Sequence, residues 1–119
     1  MKSRDPEPDR FLPLGNLSFH ILLALGTTPA HGYAIGKEIE RRSSGKLKPT
    51  TGSLYQALKR LADDGLIEGA PDAAAASTDA RRQYFQLTGL GRQVASLEAR
   101  RLHELVVAAT EKDLYSESA

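Results

Sequence analysis

The chain has 119 residues, of which 40% are hydrophobic and 26% are charged. These values are ordinary for one globular domain with an added helix or tail, and not for a disordered chain. No cysteine is present, which excludes disulfides, thiolate metal sites and a cysteine nucleophile. The longest uncharged apolar stretch, residues 17–25, is too short to span a bilayer, so we expect a cytoplasmic protein without a membrane partner.

The positive charge of the chain is concentrated in one segment. The net charge is only +1, yet residues 41–60 hold six basic residues and no acidic one, which leaves −5 on the remainder. Such a segment is either a solvated helix face or a surface for a polyanion. Its meaning depends on the elements that carry it.

The first elements in chain order are an arm and an apolar helix. Residues 1–12 contain two prolines and few aliphatic side chains, and we expect them to be disordered. Asn16 is a candidate N-cap and Gly26 a stop signal, which predicts a first helix over residues 16–25. Because that helix is apolar nearly all round, we expect it to be buried between its own domain and a second copy of the chain.

Two further helices follow a turn at residues 27–31. The second covers about 32–43, with Ile35 and Ile39 facing inward. The third opens at Thr50 or Thr51 and ends before Gly65, where a left-handed residue is expected. Its leucines recur at helical spacing and predict one buried stripe: Leu54, Leu58 and Leu61. Small, polar and basic residues fall on or near the opposite face: Gly52, Ser53, Gln56, Lys59 and Arg60.

Two strands and a long helix complete the predicted elements. Residues 66–68 and 83–88 read as strands, and the alanine-rich segment between them is expected to be a flexible hairpin tip. A helix from residue 89 or 90 to about 112 carries an apolar stripe with no long partner left in the chain, so a second copy is expected to cover it. The predicted dimer residues are Leu17, Phe19, Leu22, Leu90, Val94, Leu97, Leu102, Leu105, Val106 and Ala109.

The predicted fold is therefore mainly α with a small β-hairpin. It is a winged helix-turn-helix over residues 13–88, followed by a long C-terminal dimerisation helix over 89–113 and a tail over 114–119. In this arrangement the third helix enters the major groove of DNA, and the hairpin and the helix N-terminus contact phosphates. The predicted DNA-binding residues are Tyr33, Lys48, Thr50, Thr51, Gly52, Ser53, Tyr55, Gln56, Lys59, Arg60, Arg81 and Arg82.

Five short motifs resemble those of the PadR-like family of transcriptional regulators, in the same order. They are FHILLAL at residues 19–25, HGYAI at 31–35, PTTGSLYQALKRL at 49–61, DGLI at 64–67 and RRQYFQLTGLG at 81–91. The resemblance covers about residues 14–109. It implies a homodimer in which the last helix crosses onto the partner's first helix. It also implies repression of nearby genes, relieved in some members by a small, often aromatic molecule, which would stack here on Phe11, Phe19 or the tyrosines.

The sequence offers no catalytic or cofactor site. The three histidines lack a ligand-like spacing, so no metal is expected, and Asp63 and Asp64 are adjacent and point to different sides of a helix. We therefore expect a non-enzymatic homodimer that binds double-stranded DNA at a near-palindromic operator. Two alternatives stay open: a winged-helix adaptor that binds an acidic protein, and a dimer that binds or converts a small molecule.

Overall fold

The computed structural model describes residues 7–78 and 82–117 of the chain. A short 3-10 helix, Pro8–Phe11, precedes five α-helices and three short strands in the described part. The elements that follow it are α1 (Asn16–Ala24), β1 (Ala30–His31), α2 (Gly32–Arg42), α3 (Thr51–Asp63), β2 (Ile67–Gly69), α4 (Pro71–Ala75), β3 (Tyr84–Leu87) and α5 (Gly89–Glu111). The predicted fold class, mainly α with a small β-hairpin, is confirmed, and β1 adds a third strand to the hairpin.

The core lies where α1, α2 and α3 meet beneath the sheet. The α2 and α3 helices each bury an apolar face at helical spacing, whereas α1 is apolar nearly all round. All three helices contribute to the largest wholly buried side chains: Ile21, Leu22, Ile35, Ile39 and Leu58. The N-cap of α1 lies one residue earlier than expected, since Gly15 is the cap and Asn16 is already helical.

The sheet is antiparallel, with β3 between β1 and β2. Phe85 of β3 is paired with Ala30 and is 7% exposed, so the central strand contributes its aromatic ring to the core. The two predicted strands are present, but β1 lies in the segment 27–31 that was predicted as a turn. Its two residues are too few for an alternation pattern, so only its pairing with β3 reveals it.

The wing is the hairpin formed by β2 and β3, and the first residues of the segment between these strands are helical. The α4 helix, Pro71–Ala75, begins with a proline and has Asp72 in its first turn, two features that favour a helix N-terminus. The neighbouring Ala70 donates its N–H to the Tyr84 carbonyl at 2.7 Å and is buried. The expected flexible tip is therefore wrong over these residues, because packing on β3 stabilises a helix that is marginal in isolation.

The N-terminal segment is ordered from the 3-10 helix onward. Pro8–Phe11 packs against α5, and Phe11 and Leu12 pack against the hydrophobic core. The expected disorder over residues 1–12 is thus wrong for 8–12, because two apolar side chains at its end find a surface on α5. Residues 1–6 lie outside the described part.

The start of α5 is fixed tightly to the wing. The Thr88 side chain caps the helix by accepting the Gly91 N–H at 2.9 Å, and it donates to the Gly65 carbonyl at 2.6 Å. A Cβ at position 91 would lie 1.9 Å from the Leu66 carbonyl oxygen. Only glycine allows this approach, and Gly65 itself has a φ of +78°, as expected for a helix end.

The buried carboxylate of Glu98 joins α5 to the segment that enters α1. Glu98 is 1% exposed, and its carboxylate accepts hydrogen bonds from Arg101 Nε at 2.6 Å and from the Leu14 N–H at 2.9 Å. The hydrogen bond from Arg101 holds the pKa of Glu98 below its ordinary value of 4.5, with the Leu14 N–H acting in the same direction and burial opposing it. The carboxylate is therefore the stable form in the folded chain.

We expect Glu98→Ala to lower the free energy of unfolding by about 2–3 kcal/mol at pH 7, because the Leu14 N–H loses its acceptor and Arg101 its partner. A carboxyl whose pKa falls on folding stabilises the fold above its unfolded pKa and loses that effect as the pH drops through its folded pKa. The gap in urea stability between the native chain and Glu98→Gln should therefore shrink below pH 4.5. A gap that stays constant between pH 7 and pH 3 would contradict this role.

Candidate nucleic-acid interface

The α3 helix has one buried and one open face. Leu54, Ala57, Leu58 and Leu61 are at most 5% exposed. On the other face Gln56, Lys59 and Arg60 are exposed. Within the described residues, the side chains of Gln56 and Arg60 make no hydrogen bond or ion pair, so both are available to a ligand.

The third member of that face, Lys59, is paired. Its ammonium lies 3.2 Å from an Asp63 carboxylate oxygen one turn along the helix, and both side chains are largely exposed. An exposed pair at this spacing contributes little to stability. Lys59 can therefore exchange Asp63 for a more strongly charged anion.

The first turn of α3 is capped and unobstructed. Thr50 Oγ1 accepts the Ser53 N–H at 3.0 Å and donates to Ser53 Oγ at 2.9 Å. A Cβ added at Gly52 would meet nothing within 4 Å. Nothing in the fold requires glycine there, so the small residue leaves room for a ligand to approach the exposed backbone of Thr51 and Gly52.

A groove of about 320 Å³ runs between α2 and the start of α3. Tyr33, Lys48, Thr51 and Tyr55 all line it, so four of the predicted DNA-binding residues are brought together. Glu40 also lies in the groove, with one carboxylate oxygen 3.9 Å from Lys48 Nζ and the other 3.9 Å from Lys37 Nζ. These exposed contacts are weak for the same reason as that of Lys59.

Tyr55 defines the wall between this groove and the wing. Its hydroxyl group packs directly on Gly32, where a Cβ would lie 2.4 Å from the phenol oxygen. The ring nevertheless remains 48% exposed. Glycine at position 32 therefore allows the start of α2 to accept a tyrosine that also faces solvent.

Tyr33 and Arg82 meet at the edge of the wing. The Arg82 guanidinium carbon lies 5.4 Å from the Tyr33 ring centre, and Lys37 Nζ lies 5.5 Å from the same centre. The His31 ring is stacked beside Tyr33 at 6.4 Å. Arg81, the other predicted wing residue, lies outside the described residues. Sequence reasoning missed Lys37 and His31, although Lys37 follows Tyr33 at the i+4 spacing that makes helical neighbours.

A second concavity joins α3 to α1. Ser53, Gln56 and Arg60 line it together with residues 15–18. The start of α1 was not predicted to belong to this surface. Its nearness could not be read from the sequence, because it depends on the angle at which α1 and α3 cross.

The predicted dimer residues separate into three groups. Leu22 and Val94 are 0% exposed in the single chain. They belong to its own core, so the predicted contact of these two residues with a partner is wrong. Leu105 and Val106 are exposed. The remaining six are half-buried: Leu17, Phe19, Leu90, Leu97, Leu102 and Ala109. Four large exposed apolar residues were missed: Leu23, Val107, Leu114 and Tyr115.

The described residues contain neither a cluster for a metal ion nor a helix that could span a membrane. Within residues 7–78 and 82–117, no group of three or more histidine, aspartate or glutamate side chains could hold a metal ion. No helix in that part of the chain is long and apolar enough to cross a membrane.

Known proteins resemble this chain in sequence and in fold. A sequence profile described as the transcriptional regulator PadR-like family matches residues 21–97. A transcriptional regulator from Clostridium thermocellum superposes with a TM-score of 0.68 at 23% identity, covering 97% of this chain and 100% of that one. A PadR family transcription regulator from Clostridium difficile gives the same TM-score and identity over 82% and 97% of the two chains.

A third relative is much longer than this chain. An uncharacterized 37.1 kDa protein in a transposon of Streptomyces fradiae is 38% identical over 85 residues, which are 71% of this chain and 22% of that protein. The chain thus spans about a fifth of this relative. The family profile, which matches most of the chain, decides the assignment: the chain belongs to the PadR-like family, whose members are transcriptional regulators and not enzymes.

Proposed function

We propose that this chain is a sequence-specific DNA-binding repressor that acts as a homodimer in the cytoplasm. The observation that carries the proposal is the open face of α3, where Gln56, Lys59 and Arg60 project from a helix whose other face is buried. An amide suits the edge of adenine, and the two basic groups suit phosphates or guanine. In a winged helix this is the element that fits the major groove.

The surroundings of α3 support the same assignment. Thr51 and Gly52 at its start are exposed and uncrowded, and the groove beside them carries Lys48 and two exposed tyrosines. Free backbone N–H groups at a helix start favour phosphate. The acidic neighbours Glu40 and Asp63 are held only by exposed contacts, which phosphate would outcompete.

The exposed end of α5 supports a second copy as partner. Leu105, Val106 and Val107 are between 43% and 56% exposed on one helix, and Leu114 and Tyr115 follow at 80% and 49%. Val106, Val107 and Tyr115 line one concavity, and exposed apolar side chains that cluster in this way mark an interface. In a two-fold dimer the two α3 helices would read half-sites about one helical turn apart, roughly 10 base pairs, on a near-palindromic operator.

We also propose that the dimer binds a small aromatic effector, as the family resemblance implies. Phe11 and Phe19 are half-buried and are the phenylalanines on which such a ligand would stack in the dimer. Release of the repressor by that ligand would be a consequence of binding at the interface and not at α3.

Replacing Lys59 with alanine should weaken binding to every duplex alike, because an ammonium that neutralises phosphate carries no base information. The slope of log affinity against log salt should fall in magnitude by about one. Fluorescence anisotropy at four salt concentrations measures both quantities. Lys112→Ala, which removes an exposed lysine after α5, is the matched control and should change neither; a loss confined to one operator base would exclude the phosphate role of Lys59.

Replacing Gln56 with alanine should instead change base preference. The side chain can bond adenine through two atoms at once, and a good bidentate contact discriminates by about 1–3 kcal/mol. Selection from a randomised duplex, followed by sequencing, compares Gln56→Ala with the native chain and with Lys59→Ala. An unchanged preference in Gln56→Ala would remove this residue from direct readout.

The double substitution Leu105→Glu with Val106→Glu should dissociate the dimer, because each places a charge in an apolar interface while leaving the single-chain core untouched. Sedimentation should report half the native mass, and operator affinity should fall at least tenfold. Thr28→Glu, an exposed residue in the turn after α1, controls for added charge. A native-like mass for the double variant would place the interface elsewhere.

A further inference from the structure

We propose that Tyr33 is a positioning residue whose ring holds Arg82 and Lys37 in place for the DNA backbone, a role that rests on the proposed function. Tyr33 is 61% exposed, the most of any large aromatic side chain in the described part of the chain. Its hydroxyl makes no hydrogen bond with the described residues. Burial and hydrogen bonding therefore do not explain this tyrosine.

The contacts of Tyr33 are with cations. Arg82 comes from the wing and Lys37 from the next turn of α2, and their charged groups lie 5.4 and 5.5 Å from the ring centre. Both distances are within the 6 Å or so over which a cation is attracted to an aromatic face. One ring thus gathers two cations from elements that are far apart in sequence.

The Tyr33 ring also stacks beside the ring of His31. His31 Nδ1 accepts the Ala34 N–H at 3.1 Å and caps α2, while its backbone pairs with Tyr84 across β1 and β3. The two rings are stacked with an interplanar angle of 24°. His31 and Tyr33 together form a platform that is attached both to α2 and to the sheet that carries the wing.

Holding these cations matters because arginine and lysine have many rotamers. Ordering such a side chain on a phosphate has an entropic cost, which is reduced when the side chain is ordered beforehand. The effect of Tyr33 on DNA binding should accordingly pass through Arg82 and Lys37. A different role, in which the Tyr33 hydroxyl donates directly to a phosphate, would act without them.

The experiment is a double-mutant cycle on the duplex with the highest affinity after randomised selection. Tyr33→Phe keeps the ring and should bind within twofold of the native chain. Tyr33→Leu should bind about fivefold more weakly, the lower end of the effect expected from two exposed cation–π contacts. The loss caused by Arg82→Ala should shrink by at least threefold in the Tyr33→Leu background, and the same cycle with Lys37→Ala should show coupling of the same sign.

Two readouts separate this role from a loss of fold. Tyr33→Gln, measured beside Tyr33→Leu, should give the same coupling, and thermal unfolding should place both variants within a few degrees of the native chain. In the free protein, the Arg82 side-chain N–H resonance should be shifted by the ring current in the native chain and in Tyr33→Phe, and lose that shift in Tyr33→Leu.

The outcomes are distinguishable. Additive effects of Tyr33→Leu and Arg82→Ala, with native binding intact, would overturn the platform and leave the proposed function standing. A loss in Tyr33→Phe equal to that in Tyr33→Leu would assign the contact to the hydroxyl and also overturn it. If the native chain selects no duplex, both the proposed function and the platform fail.

Discussion

The burial of the leucine face of α3 against α1 and α2 determines the rest of the surface. Leu54, Leu58 and Leu61 can leave water only in one rotation of the helix. That rotation directs Gln56 and Arg60 outward and exposes the first turn at Gly52. The position of Tyr55 follows from the same rotation, since its hydroxyl fits against Gly32 only when α3 and α2 are packed in this way. A hydrophobic requirement in the core thus fixes which polar groups the protein presents.

Much of this organisation was predictable because it rests on local signals. The i, i+4, i+7 leucines, the Thr50 cap and Gly65 each report on one helix, and the structure has α3 where they place it. The two-residue β1 strand and the α4 helix were missed because tertiary contacts with β3 stabilise them. Asn16 was misread as the cap because asparagine is a preferred N-cap residue, but Gly15, a type also accepted there, is the cap in the structure.

The residues of the candidate surface were predictable, but the contacts among them were not. All the predicted positions that the structure describes are exposed, since helical periodicity is enough to separate an outer face from an inner one. The partnership of Tyr33 with Arg82 was not foreseeable, because 48 positions separate them in the chain. Leu22 and Val94 were assigned to the dimer interface although they lie in the core. A pattern identifies an apolar side chain, but it cannot say whether the chain's own core or another molecule covers it.

The junction at Gly91 has a consequence for how distance is measured along DNA. The Leu66 carbonyl leaves no space for a side chain there, and Thr88 ties the first turn of α5 back to Gly65. The winged helix that carries α3 is therefore joined to α5, which would meet the second copy, without a flexible linker. The angle between them is a property of the fold. In the proposed dimer, the distance between the two α3 helices would therefore be fixed. An operator with one base pair inserted at its centre would have to twist to fit that distance.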